Sequence, residues 1–290
     1  MSSVAFAPIS PRRRRVDRLA RGTVAALTLL ALIPLGLIVY YLLKQGLGAI
    51  SLSFFTTDPS GSFLGDPGGI KSAIVGTVVM VALASVVAVP VGVGVAIWLV
   101  ELGRETKLAH TVRYFIDVMT GVPSIVFGLF VYITLVLAGV GGSSFAGWKG
   151  SVALGLLMLP IVTRSAEVVL LLVPNQLREA AYALGAPRWK TIVRIVLPTA
   201  LPGIVTGVLL AVARAAGETA PLLFTAAVVN ATTVNLSDRM NSLPALIFQN
   251  VGQAQDRLVT IAWGAALTLV MMILVLTLLA RLIQRRSRLS

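Results

Sequence analysis

Residues 179–198 read EAAYALGAPRWKTIVRIVLP and lie between two long apolar segments. The alanine-rich beginning of this stretch favours a helix. Gly185 then allows a sharp turn, because glycine tolerates positive φ, and Pro187 enforces a new chain direction. The stretch therefore predicts two short helices that meet at an angle and form a compact knob between the two apolar segments.

The beginning of this knob is suited to contact with a soluble partner. Glu179 offers a carboxylate to an arginine or lysine across the contact, and Ala180 and Ala181 are small enough to let two backbones approach closely. An alternative interpretation is an amphipathic, basic helix that lies on anionic lipid. The full spacing, with Gly185 followed by Ile-x-Leu-Pro at residues 195–198, favours the contact with a protein.

The composition is that of a membrane protein. Of the 290 residues, 57% are hydrophobic and only 12% are charged, whereas an ordinary soluble domain is about 45–50% apolar and about 25% charged. The mean hydropathy is +0.93. The sequence has no cysteine and a single histidine, so it offers no disulfide framework and no cysteine nucleophile. We expect no catalytic residue, no metal site and no cofactor, and a protein that is not an enzyme.

Six apolar segments are long enough to cross a bilayer, which requires about 20 residues per helix. Within the third segment, Pro123 predicts a local break or a new helix start. We therefore expect an all-α membrane protein with six transmembrane helices. The segments are Thr23–Leu43, Ser72–Val100, Phe115–Val140, Ser151–Val173, Ala200–Val228 and Thr260–Ile283.

The positive charge lies mostly in the two tails and in the second and fourth connections. These regions hold most of the 24 lysine and arginine residues, and the net charge is +13. The positive-inside rule places both termini in the cytoplasm, so nucleic acid is not needed to explain the basic balance. The predicted parts are a basic cytoplasmic tail (1–22), a first transmembrane helix with an external loop (23–71), a core of five transmembrane helices (72–283, with the knob in the loop 174–198) and a second cytoplasmic tail (284–290).

Two pairs of opposite charges lie inside apolar segments. Arg164 and Glu167 are three residues apart, and Arg214 and Glu218 are four apart, so we expect each pair to share one helix face. A charge at the centre of a membrane helix costs about 2.5–3.5 kcal/mol on insertion scales, so these side chains should face the bundle interior. One interpretation is a structural ion-pair cluster. The other is an anion pathway, in which arginines grip the anion and glutamates act as counter-charges.

The chain shows no nucleotide-binding motif. Residues 142–147 have the glycine spacing of a phosphate-binding P-loop, but Trp148 stands where the motif requires lysine. If ATP drives transport, a separate ATPase subunit must hydrolyse it. The polar connection Asn230–Gln255 is the longest external surface and a predicted docking site for an external partner.

The chain resembles the permease subunits of bacterial ABC importers, in which the EAA loop receives the motion of an ATPase. The resemblance rests on the EAA stretch and on four further stretches, which point to the phosphate-specific members of the family. These stretches are Gly68–Ile70, Thr120–Gly128, Thr163–Glu167 and Ala213–Phe224. The last of them is more similar to PstA-type subunits than to PstC-type subunits.

This resemblance implies the type I ABC importer permease fold and the import of inorganic phosphate. It implies a pair of ABC ATPase subunits that bind at Glu179, Ala180, Ala181 and Gly185. A second, PstC-like permease, an extracytoplasmic phosphate-binding protein and a location in the bacterial cytoplasmic membrane are implied as well. The two charge pairs within the apolar segments would then line the substrate pathway.

Other functions stay open at this point. A permease for another oxyanion, such as sulfate, molybdate or phosphonate, would share all of these features. A proton-coupled secondary transporter would use Glu167 or Glu218 as its proton carrier and would need no EAA loop. A purely structural membrane subunit would leave the charges inside the apolar segments without a purpose.

Overall fold

The computed structural model describes residues 10–61, 68–142 and 144–287. Within those ranges the chain forms helices and their connections, with one isolated β-bridge between Pro59 and Gly68. The start of the predicted N-terminal tail and the end of the predicted C-terminal tail lie outside the described residues. The division of the chain into four parts stays a prediction.

Twelve α-helices make up most of the described part of the chain. Short π-helical segments follow three of them, at Trp98–Leu102, Tyr132–Val136 and Ile192–Val196. The α-helices are α1 Pro11–Gly46, α2 Leu52–Thr56, α3 Lys71–Ile97, α4 Lys107–Gly121, α5 Ser124–Val131, α6 Gly147–Leu171, α7 Asn175–Ala183, α8 Arg188–Thr191, α9 Leu197–Ala216, α10 Ala220–Thr225, α11 Leu243–Val251 and α12 Asp256–Ser287.

The prediction of an all-α protein that crosses the membrane with a break at Pro123 is confirmed. Among the described residues, five helical segments are long and apolar enough to cross a membrane, and α4 with α5 makes a sixth if the bent pair counts as one span. The pair bends by 102° at the break. Val122 has φ −72 and ψ 129, the extended conformation that a following proline favours.

The predicted fifth span, Ala200–Val228, is wrong at both ends. The helical segment already begins at Arg188, and α9 ends at Ala216. Residues 217–219 interrupt the helix, and Pro221 lies in the first turn of α10, where its missing N–H is not needed. The residues on both sides of the interruption are apolar, so hydropathy alone does not reveal it.

α1 is longer than its predicted span, Thr23–Leu43. It begins at Pro11, behind the N-cap Ser10, so the arginines of the predicted tail lie on its first turns. Most of its side chains are exposed within this single chain. It packs against α12 near its end, where a Cβ added to Gly46 would lie 2.9 Å from the Cβ of Leu267.

α6 is the centre of the bundle. Its residues Leu154, Met158 and Val162 are buried and pack in one apolar cluster with residues of α3 and α9. Close packing of this kind contributes most of the dispersion and burial energy of a helical core. Arg164 and Glu167 lie on this central helix, and the knob follows directly after its end.

Glycines let α9 approach α6 closely and fix the direction in which the two helices run. A Cβ added to Gly203 would meet Val169, and one added to Gly207 would meet Ser165. Higher numbers on α9 face lower numbers on α6, so the two helices are antiparallel. Small residues at such a contact bring two helix backbones together.

Candidate functional site

The knob has the predicted form of two short helices that meet at a glycine. α7 and α8 are its helices, and Gly185 between them has φ +78. A Cβ added at this glycine would meet no atom within 4 Å, so the backbone conformation alone requires glycine here. The backbone N–H of Ala186 donates to the carbonyl of Ala181 at 3.0 Å and closes the turn.

The outer surface of the knob carries both polar and apolar side chains. Glu179 and Ala180 are exposed, as predicted for a contact surface. Leu184 and Trp189 are exposed at 89% and 64%. Large apolar side chains that project from a charged loop indicate a surface that another protein covers.

Ala181 differs from its two neighbours in the motif, and its predicted role in coupling stays a prediction. Its side chain is only 5% exposed, because it lies on the face of α7 that packs inward. Ala181 therefore contributes to the internal packing of the knob, and Glu179 and Ala180 are the members of the motif that a partner can reach.

Arg178 fastens the knob to the rest of the molecule. Its Nη2 donates to Oε1 of Glu101 at 2.7 Å, and its Nε donates to the same carboxylate oxygen at 3.1 Å. It also donates to the carbonyls of Val173 at 2.7 Å and Leu170 at 3.1 Å. The side chains of Arg178 and Glu101 are 13% and 6% exposed. The guanidinium thus joins α7, the end of α6 and the π-helical segment after α3.

The sequence alone does not predict this contact. Arg178 belongs to the basic fourth connection that indicates the topology, and Glu101 belongs to no predicted site. The available signal was the place of Arg178 directly before Glu179. Glu101 lies 77 residues away along the chain, and only the fold brings the two side chains together.

A polar cavity of about 380 Å³ lies beside this contact. Its lining includes Glu101 and the arginines Arg104, Arg178 and Arg188. The cavity therefore has an excess of positive charge at the knob, next to the ends of α3 and α6.

Four side chains form a charge cluster, which we define as Arg113, Asp117, Arg164 and Glu167. Glu167 is 3% exposed and accepts hydrogen bonds from Nε of Arg113 at 2.6 Å and from Nη1 of Arg164 at 2.9 Å. The other end of the Arg164 guanidinium lies 3.6 Å from Asp117. The formal charges of the four side chains cancel, which lowers the cost of burial.

Arg164 and Glu167 form the predicted pair on one face of α6, whereas Arg113 and Asp117 were missed. Arg113 precedes the predicted third span, Phe115–Val140, and so falls in the predicted second connection, but it lies in the middle of α4. The spacing of four residues between Arg113 and Asp117 was the available signal, since it places both on one helix face. Arg113 also donates from Nη2 to the carbonyl of Leu99 at 2.8 Å, at the end of α3.

The second predicted pair, Arg214 and Glu218, is in contact but does not lie on one helix. Nε of Arg214 lies 3.6 Å from Oε1 of Glu218. Arg214 is in the last turn of α9, and Glu218 lies in the interruption that follows Ala216. The Arg214 side chain is 55% exposed and that of Glu218 is 15% exposed. The prediction that both share a helix face is therefore corrected.

The two groups of charges lie at different depths of the bundle. In the antiparallel packing of α6 and α9, Gly207 faces Ser165. Arg214 is seven residues further along α9, a displacement of about 10 Å at 1.5 Å per residue. Within the described residues, no hydrogen bond or ion pair joins Arg214 to the charge cluster.

The family model described as "Binding-protein-dependent transport system inner membrane component" matches residues 88–289. This range includes the charge cluster, the knob and the second charge pair. Two relatives carry the printed name of phosphate transport system permease. PstA 1 of Mycobacterium tuberculosis (strain ATCC 25618 / H37Rv) is 40% identical over 294 residues, which cover 99% of this chain and 94% of the relative. PstA of Yersinia pestis is 40% identical over 277 residues, which cover 95% of this chain and 92% of the relative.

Solved structures share the fold. A chain from the inward-facing MetNI methionine ABC transporter matches with a TM-score of 0.60 and 21% identity, covering 75% of this chain and 94% of that chain. An amino acid ABC transporter crystallised with histidines matches with a TM-score of 0.53 and 19% identity, covering 75% and 92%. At such low identity these two matches establish the arrangement of helices alone.

Proposed function

The chain belongs to the family of binding-protein-dependent transport system inner membrane components, and from this premise we propose that it imports inorganic phosphate. It is the transmembrane permease subunit of an ATP-driven ABC importer and forms half of the translocation pathway. The observation that supports phosphate as the substrate is the 40% identity to phosphate transport permeases over nearly the whole chain.

The knob is the surface on which the ATPase acts. Glu179 and Ala180 are exposed beside Leu184 and Trp189, a mixture of charge and apolar area that suits a protein contact. A pair of ABC ATPase subunits binds there and at the equivalent loop of a second, PstC-like permease. Both termini and the knob face the cytoplasm, in agreement with the basic residues of that side.

The external side of the importer receives phosphate from an extracytoplasmic binding protein. Within the predicted connection Asn230–Gln255, the polar surface for this contact comes mainly from residues 230–239, because residues 240–246 are buried at the start of α11. Its inner part is held to the bundle, since the backbone N–H groups of Gly147 and Trp148 at the start of α6 donate to the carbonyls of Asp238 and Leu236 at 2.8 and 2.9 Å. A contact with this connection can therefore act directly on α6.

Arg164 and Arg214 are the groups that meet the ion. The guanidinium of Arg164 is 46% exposed, whereas Glu167 and Arg113 are 3% and 22% exposed. Nη2 of Arg164 lies 3.6 Å from the exposed Asp117, so this edge of the fork can turn from Asp117 towards phosphate while Nη1 stays on Glu167. Glu167 and Glu218 keep the arginines paired in the absence of the ion, so that binding is weak enough for release.

Uptake of radiolabelled phosphate tests this function. Cells that make this chain together with its ATPase, its second permease and its binding protein should accumulate phosphate. A large excess of sulfate, molybdate or phosphonate should leave the uptake unchanged, because the substrate is inorganic phosphate. Efficient competition by one of these anions, or their uptake in place of phosphate, would contradict the proposed substrate.

A further inference from the structure

The end of α3 is held by two arginines from two other helices. Arg178 of α7 binds the carboxylate of Glu101, and Arg113 of α4 binds the carbonyl of Leu99. Both acceptors belong to the π-helical segment Trp98–Leu102. Such segments are rare and occur frequently at functional sites. The knob and the charge cluster therefore meet at one element.

These contacts form a continuous connection from the knob to the inside of the bundle. Arg178 binds Glu101, the π-helical segment joins Glu101 to Leu99, Arg113 binds Leu99 and Glu167, and Glu167 binds Arg164. The shortest hydrogen bond of each side-chain pair in this series is 2.9 Å or less. The side chains of Glu101, Arg178 and Glu167 are 6%, 13% and 3% exposed, so these ion pairs are largely shielded from bulk solvent, and Glu101 and Arg178 face only the polar cavity beside them.

The geometry of Arg178 makes this connection stiff. All three of its nitrogen atoms donate, to Glu101 on one side and to the carbonyls of Leu170 and Val173 on the other. A planar guanidinium in such a setting leaves little freedom of rotation. α7 cannot move relative to the ends of α3 and α6 unless a buried ion pair breaks, which is costly.

We propose that Arg178 is a positioning residue of the transport cycle. It carries the displacement of the knob to the π-helical end of α3 and, through Arg113, to the Glu167–Arg164 pair. ATP hydrolysis at the knob then changes the geometry of the arginine that meets the ion. This inference rests on the proposed function and adds to it the side chain through which the two parts of the molecule communicate.

The ratio of phosphate transported to ATP hydrolysed tests this role in proteoliposomes that contain the complete complex. Arg178→Ala removes all of the contacts, so the ratio should fall by roughly tenfold or more, while hydrolysis stimulated by the binding protein continues. Arg178→Lys keeps a charge for Glu101 but lacks the fork that reaches both carbonyls, so its ratio should lie between those of Arg178→Ala and the wild type.

Arg104→Gln is the matched control. Arg104 lines the same cavity with an exposed side chain, and only its backbone carbonyl accepts a bond from Arg113. Its removal should leave the ratio unchanged. Glu101→Gln is a second test of the Arg178–Glu101 ion pair if the complex with Arg178→Ala does not assemble. It keeps the shape of the side chain and removes only its charge, and it should lower the ratio.

An unchanged ratio in Arg178→Ala, even with both rates reduced, would overturn the proposal, because Arg178 would then only hold the fold. If Arg178→Ala does not assemble, unchanged ratios in Arg178→Lys and Glu101→Gln would overturn it as well. The wild-type complex, measured in parallel, separates the two claims. Absence of ATP-dependent phosphate uptake by the wild type contradicts the proposed function, whereas normal wild-type uptake with unchanged ratios contradicts this inference alone.

Discussion

Glu167 is the residue on which the charge cluster depends, because it is the buried acceptor shared by Arg113 and Arg164. The pairing of Glu167 with Arg164 follows from their spacing on one helix and was predicted. The pairing with Arg113 was not, since the two residues are 54 positions apart. Local spacing identifies the partners within a helix, whereas partners on different helices depend on how the helices pack.

Glu167→Gln should destabilise the protein. The substitution removes the carboxylate that binds Arg113, whose side chain is 22% exposed, and breaking a buried pair costs up to about 3–5 kcal/mol. Asp117→Asn is the control, because the Asp117 carboxylate is 54% exposed and 3.6 Å from its partner. In thermal unfolding of the purified protein in detergent, the unfolding temperature should fall strongly for Glu167→Gln and little for Asp117→Asn. Equal falls in the two variants would contradict the conclusion that Glu167 holds the charge cluster together.

Arg214→Gln should abolish phosphate uptake while assembly of the importer stays intact. The guanidinium is more than half exposed and makes only a loose contact with Glu218, so its loss should remove an ion-binding group without unfolding the bundle. Arg257→Gln, an exposed arginine near the start of α12, controls for the loss of one positive charge. Uptake in cells and the amount of complex in the membrane are measured together. Normal uptake by Arg214→Gln would contradict its place in the pathway.

The turn of the knob is the element in which sequence and structure agree most directly. Gly185 was predicted to adopt positive φ, and the observed value is +78. Turn residues also explain why the end of the predicted fifth span is wrong. Glycine and proline at Gly217 and Pro221 signalled an interruption, but apolar residues on both sides made the segment look continuous. Turn chemistry is a stronger guide to helix ends than hydropathy.

Gly185→Ala should weaken the coupling of the importer to its ATPase. A Cβ in the left-handed region costs about 1–2 kcal/mol, so the angle between α7 and α8 should change although no atom obstructs the new methyl group. Gly252→Ala is the matched control, because Gly252 has φ −95 and is equally free of neighbours. Phosphate uptake should fall severalfold in Gly185→Ala and stay at the wild-type level in Gly252→Ala. Equal uptake by the two variants would contradict the requirement for positive φ.

The close contact of α6 and α9 depends on the absence of a side chain at Gly207. Gly207→Leu should separate these helices, because even a Cβ at this position meets the side chain of Ser165, and overpacking a core costs about 1–3 kcal/mol. The thermal stability of the protein in detergent should fall. Gly22→Leu is the control, since Gly22 on α1 has no atom within 4 Å of its added Cβ, and it should keep the wild-type stability. A stable Gly207→Leu variant would show that the two helices can move apart.

At the scale of the whole molecule, the sequence predicted the class of protein and most of its membrane crossings. Long apolar segments have to become helices in a bilayer, because lipid cannot satisfy a free backbone group. What the sequence did not predict is how the ends of these helices are tied together. The contact of Arg178 with Glu101 joins the knob to α3, and it arises only when α3, α6 and α7 have packed. The molecule is therefore best described as a packed core with the knob fixed to one end.

The most direct test of this account is phosphate transport by purified components in lipid vesicles. The complete importer, with ATP on the side of the knob, should move phosphate away from the binding protein, and removal of ATP or of the ATPase should stop transport. A proton gradient should not replace ATP. Phosphate accumulation by this chain alone, without any ATPase and in response to a proton gradient, would contradict the account.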